Sequence, residues 1–218
     1  LSSYALKGTK PGEKVVLRGR REIVQHAAAF QHMINAFVKH DMPMSERLIR
    51  ETHGILVEGL GAEDAGVFNL QTFGGTYRHG DQKAYAGTHE YTRPADVPKA
   101  MKSLVESLEA DLQQAEKTKV IDPFMLAAKY CDRFVNIHLF KDANGRMCRL
   151  ILNAILMKYA GLVVCLGEKG ADRDEYLRVA QESTSVGGHA GQLGNLVLES
   201  AVGTLRRLKA TLTRQRKT

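Results

Sequence analysis

Apolar residues recur every three or four positions through most of this chain, and long alternating runs are scarce. That spacing places side chains on one stripe of a helix and constrains the fold to packed helices. Over residues 20–40 the stripe reads Ile23, Val24, Ala27, Phe30, Ile34 and Phe37, until Pro43 breaks it. Ser45 caps a second helix over 46–58, with Leu48, Ile49 and Ile55 inward and Gly59 at its end. A third helix opens at Asp96 and Pro98 and runs to 112. Asp122 before Pro123 starts a fourth over 124–137, whose apolar face carries Met125, Ala128, Cys131, Phe134 and Val135. The most apolar helix, 143–159, has Met147, Leu150, Ile151, Ala154, Ile155 and Lys158 on one stripe and is expected at the centre of the bundle. Two more are expected near 173–182 and 192–212.

Composition supports an all-α fold. Aromatics are 6% and Trp is absent, so strand-forming residues are thin. The 218 residues suffice for one domain with a sizeable core, and we read 1–218 as such. The net charge of +7 favours polyanionic ligands such as phosphates or acidic surfaces. Much of it comes from Arg206, Arg207, Lys209, Arg214, Arg216 and Lys217, placed as the solvated end of a last helix. Cys131, Cys148 and Cys165 are too few for a disulfide framework and form no C-x-x-C pair. A reducing compartment such as the cytoplasm fits that usage best, with a lumenal one left open. No apolar stretch is long enough to span a bilayer, and no signal peptide is evident.

One stretch differs in character. Residues 59–91 are rich in glycine and contain Thr76-Tyr77-Arg78, a His79-Gly80-Asp81 turn signal and Ala84-Tyr85-Ala86. They read as a short surface β-hairpin, with an irregular loop as the alternative.

The chemistry concentrates in His138-Leu139-Phe140-Lys141-Asp142-Ala143-Asn144-Gly145-Arg146-Met147-Cys148-Arg149. Ala143, Asn144 and Gly145 open the apolar helix, where unpaired N–H groups and the positive dipole end suit a phosphate. Gly145 lets a ligand approach the main chain. Arg146 and Arg149 follow, and a guanidinium fork matches phosphate oxygens. Asp142 at the edge of that cradle is a fitting single carboxylate for Mg²⁺, which takes its other ligands from phosphate and water. His138, in the turn entering the cradle, is a natural general base for a hydroxyl. Taken singly, each residue has a structural reading: a packed histidine, a helix cap, a solvated arginine pair. Together, and on a buried helix, cations of this kind need partners.

The segment resembles the signature of the Fic family, H-P-F-x-[DE]-G-N-G-R-x-x-R. It matches at His138, Phe140, Asp142, Asn144, Gly145, Arg146 and Arg149, and departs at Leu139 and Ala143, where Pro and Gly are usual. The resemblance covers roughly residues 20–210. It implies a Fic-type helical bundle with a small β-hairpin flap at 76–91, and a protein adenylyltransferase that moves AMP from ATP to a Ser, Thr or Tyr hydroxyl. His138, Asn144 and Arg146 would be catalytic. Asp142 would hold Mg²⁺. Asp142, Ala143, Asn144, Gly145, Arg146 and Arg149 would bind the phosphates. Ala84, Tyr85, Ala86 and Gly87 would form the flap side of the nucleotide site and align a target segment by strand pairing. Tyr176 and Ser183 would wall the adenine, although Tyr176 also suits a packed core position.

Many Fic proteins carry an inhibitory helix with the pattern [ST]-x-x-x-E-[GN]. The segment 1–19 holds Ser3-Tyr4-Ala5-Leu6-Lys7-Gly8, with Lys7 at the glutamate position. A lysine there would repel Arg149 where a glutamate attracts it, which implies a deregulated enzyme. The family resemblance also implies a protein target, with heat-shock chaperones as one class, no DNA partner, and a homodimer or the removal of AMP as further options. Two alternatives stay open. One is a kinase of the death-on-curing branch, which Ala143 resembles and Gly145 does not. The other is a non-catalytic basic helical binding module.

Overall fold

The computed structural model describes residues 12–60, 73–86, 89–167, 170, 173–176, 178–179 and 191–215. Ser3, Lys7, Gly8, Gly87 and Ser183 lie outside them.

The described residues form a helical bundle. Helix α1 (Glu13–Met33) starts earlier than its apolar stripe suggests and continues as a wider π-helical stretch, Ile34–Lys39. It ends at Lys39 with His40 as its cap, and Asp41, just beyond, has positive φ. Lys158 closes that end, its Nζ donating to the Phe37 carbonyl at 3.1 Å and to Asp41 Oδ1 at 2.5 Å. Helix α2 (Glu46–Val57) is capped by Ser45, whose Oγ accepts from the Leu48 N–H at 3.2 Å. A 3₁₀ turn, Pro94–Asp96, leads into α3 (Val97–Thr118). That helix runs past residue 112, because Lys119 and not a glycine supplies the left-handed end. Helix α4 (Pro123–Ile137) is capped by Asp122, whose Oδ1 accepts from the N–H of Phe124 and of Met125, both at 3.0 Å. Helix α5 (Asn144–Ala160) ends at Gly161 in the left-handed region. Residues 173–176 and 178–179 are helical, and α6 (Gly191–Gln215) closes the chain's described part.

The central helix is α5, as its sequence implies. It packs along α4 and also meets α1. Met147, Cys148, Leu150, Ile151, Leu152, Ala154, Ile155 and Leu156 are all buried, so it is apolar almost all round. Among the described residues the only β-structure is a pair of two-residue strands, β1 (Tyr85–Ala86) and β2 (His89–Glu90). They pair antiparallel, Tyr85 opposite Glu90 and Ala86 opposite His89. The expected hairpin is therefore present but much shorter than 76–91. Its expected turn is there too, with Gly80 at φ 55° and the Gln82 N–H donating to the His79 carbonyl. Among the described residues no helix is long and apolar enough to cross a membrane.

One expectation needs correcting. Cys131 on α4 and Cys148 on α5 face each other with Cα atoms 5.1 Å apart and form a disulfide. An odd cysteine count hid a single bridge.

Candidate nucleotide-binding active site

The loop between α4 and α5 carries the sequence motif, and left-handed residues mark both its ends. His138 follows α4 at φ 49°, and Ala143 precedes α5 at φ 64°. These two bends turn the chain sharply enough to set the end of α4 against the start of α5. Phe140 anchors the loop in the core, fully buried among Phe134, Tyr77 and His53. Asn144 fastens it: its Oδ1 accepts from the Phe140 N–H at 2.9 Å and its Nδ2 donates to the Phe140 carbonyl at 2.7 Å. Its side chain thus braces the loop from the first residue of α5.

The His138 ring lies stacked on Tyr91, which directly follows β2. Its Nδ1 is buried without a good hydrogen bond. Burial first, and the Arg78 guanidinium second, push its pKa down to about 4, while the Val135 carbonyl and Asp142 oppose the shift. The ring is thus neutral at physiological pH.

Asp142 lies at the loop's edge with its side chain 45% exposed. Its Oδ1 accepts from the Ala143 N–H at 2.6 Å, and its Oδ2 pairs with Arg146 Nη2 at 3.2 Å. Arg146 Nη1 is buried without a partner, a donor left for an incoming anion. Gly145 fits the cradle. A Cβ there would meet only Arg149 Nη1, at 3.8 Å, so the space over the main chain is open for a phosphate. Arg149 sits over the Tyr176 ring at 6.0 Å and borders a cavity of about 410 Å³ lined also by His26, Phe30, Asn153 and Val164. Tyr176 is itself buried and packs on Gly167, so it serves the core as well as facing Arg149.

The donor set suits Mg²⁺ carried in with phosphates. Among the described residues no group of three or more His, Cys, Asp or Glu could hold a metal alone. Asp142, a half-exposed carboxylate beside the start of α5, is the residue that would hold such an ion, with phosphate and water supplying the rest.

Three residues that sequence reasoning missed tie this loop to its surroundings. The first is Tyr91. The second is Arg78, 4% exposed, whose one guanidinium donates to the carbonyls of His138, Gln82, Thr92 and Ile137. The third is His53 on α2, between Gly75 and Asp142. Ala84 precedes β1, which Tyr85 and Ala86 form, and the Ala84 carbonyl accepts from the Tyr91 N–H at 3.0 Å. The flap is thereby joined to the residue that stacks on His138.

A helical body, with a partly buried histidine and two arginines gathered at the start of its central helix, defines an all-α protein of the Fic type. The chain belongs to the Fic/DOC family, whose profile it matches over residues 43–156. It is 33% identical over 131 residues to a Fido domain-containing protein of Dictyostelium discoideum, covering 58% of this chain and 85% of that one. It is 31% identical over 110 residues to the protein adenylyltransferase Fic of Culex quinquefasciatus, covering 50% of this chain but 21% of that protein. A solved structure of Fic-1 from C. elegans aligns with a TM-score of 0.71 at 22% identity, over 98% of this chain and 58% of that one. At that identity the likeness speaks for the fold alone.

Proposed function

We propose that this chain is a protein adenylyltransferase that transfers AMP from ATP to a hydroxyl of a target protein. The observation that carries the reading is the convergence of a neutral His138 with Asp142, the open start of α5, and Arg146 and Arg149.

The chemistry follows from the roles these groups can take. His138 accepts the proton of the target hydroxyl as its oxygen attacks the α-phosphorus. The bond from that phosphorus to the bridging oxygen of the β-phosphate breaks, and pyrophosphate leaves. Asp142 would hold Mg²⁺, which would supply charge neutralisation for the phosphates. Arg146, with its unpartnered Nη1, and the N–H groups at the start of α5 grip the phosphates, and Arg149 reaches the terminal one. Most of the rate gain comes from positioning and charge stabilisation. The β1 edge and Ala84–Ala86 offer strand pairing to the target, for which a heat-shock chaperone is the family-based candidate. Tyr176 and Ser183 are assigned to the adenine side. Lys7 is assigned to the position of an inhibitory glutamate, so the enzyme is active without release of a brake, and Lys7→Glu lowers its activity.

The test is transfer of label to protein from ATP labelled on the α- or on the γ-phosphate. Label from the α-position supports adenylyl transfer. Label from the γ-position alone replaces it with the phosphotransferase reading that Ala143 keeps open.

A further inference from the structure

His53 is 2% exposed and lies on the inner face of α2, beside buried Leu48, Ile49, Thr52 and Leu56. A lone histidine there would be costly without partners. Both its nitrogens have one. Nδ1 accepts from the Gly75 N–H at 2.9 Å, and Nε2 lies 3.2 Å from the Asp142 carbonyl oxygen. An Nε2–H tautomer satisfies both, donating to Asp142 and accepting from Gly75. The ring also lies flat on Phe140, with centroids 3.6 Å apart and planes 7° apart.

The two segments so joined are the root of the flap and the phosphate-binding loop. Gly75 is held at both ends of its backbone by α2, because its carbonyl accepts from Arg50 Nε at 2.6 Å. No side chain fits there: a Cβ would stand 2.7 Å from the Arg50 carbonyl oxygen, and φ is 68°. Three residues on, the Arg78 N–H donates to the Leu139 carbonyl at 2.9 Å. The flap root and the motif loop therefore run side by side, tied through His53 at Asp142 and through Arg78 at Leu139.

We propose that His53 is a positioning residue that locks the phosphate-binding loop to the root of the flap, so that nucleotide and target are held in one register. Its consequence for transfer rests on the adenylyltransferase reading; the tie itself does not. A residue acting only as core filler would serve α2 and be replaceable by an apolar ring. His53 instead spends both nitrogens on backbone groups of two other segments.

Amide hydrogen exchange on the chain without nucleotide tests the tie directly. His53→Phe keeps the ring and the stack but removes both hydrogen bonds. It is expected to speed exchange in 73–78 and in 138–147 together, by about tenfold or more, with α2 and α3 still protected. His53→Gln can still donate toward Asp142, and is expected to restore protection to 138–147 more than to 73–78. It also carries the test should the Phe variant not fold. Unchanged exchange in both segments, or a uniform rise over all helices, would overturn the proposal. Where transfer is measurable, kcat should fall further than KM for ATP rises. A wild-type chain that transfers no nucleotide would defeat the adenylyltransferase reading and leave the exchange result to decide the tie.

Discussion

The ring of Tyr91 lies against the ring of His138, with centroids 4.2 Å apart and planes within 17° of parallel. One residue is the first after the flap's second strand, and the other ends α4. The stack covers the imidazole from the flap side, and burial is the main reason His138 stays neutral. Arg78 adds to the effect, and Asp142 opposes it. Opening that face to water should relax the shift. In the chain without nucleotide or metal, Tyr91→Ala is expected to raise the His138 pKa from about 4 toward the ordinary histidine value, by about one pH unit. NMR titration of the imidazole reads this directly. An unmoved pKa would show that Arg78 and the protein interior, not the tyrosine, set the value.

Ala143 occupies a left-handed backbone position, φ 64°, just before α5. An L-residue with a Cβ is strained there, and glycine is not. Ala143→Gly is therefore expected to stabilise the fold by about 1 kcal/mol, less what the more flexible unfolded chain takes back. Denaturant unfolding measures it. Destabilisation by the glycine would mean that the buried Ala143 methyl contributes more through packing than it costs in strain.

How much of this was legible in advance divides along sequence distance. The motif loop is contiguous, and its helix start, charged groups and apolar helix can all be read from neighbouring residues. The caps at Ser45 and Asp122 were legible for the same reason. The ties were not. His53 meets Asp142 across 89 positions, and Arg78 meets His138 across 60. A signal did exist for His53, a polar ring set on the apolar stripe of α2 between Leu48, Ile49 and Leu56. It points to a buried partner without naming it. Cys131 likewise lay on the apolar face of its helix and Cys148 beside the stripe of the next, and only the packing of α4 on α5 shows that they meet. The π-helical end of α1 carries no local sequence mark.

Acid should unfold this protein in a recognisable window. His53 and His138 are both lowered from 6.5 to about 4, mainly by burial. The unfolded chain takes up protons on both as pH falls below 6.5, while the folded chain resists until about 4. Stability is thus fully present above 6.5 and declines through the window between those values. The two histidines together account for a loss of several kcal/mol at most, since each contributes about 1.4 kcal/mol for every pH unit that separates its folded and unfolded pKa. Denaturant midpoints taken between about pH 7 and pH 4 measure the slope. His138→Ala should flatten it, and an equal slope in that variant would contradict the assignment.

The proposed reaction has His138 and the arginine-flanked start of α5 direct AMP onto protein. The most direct measurement is transfer of label from α-labelled ATP, with Mg²⁺ present, to proteins of a cell extract, by the wild-type chain and by His138→Ala. Parallel reactions carry γ-labelled ATP. Expected are α-label on protein from the wild type, a loss of about a hundredfold or more in the variant, and no γ-label above background. Equal α-label from both chains, or γ-label without α-label, would contradict the proposed reaction.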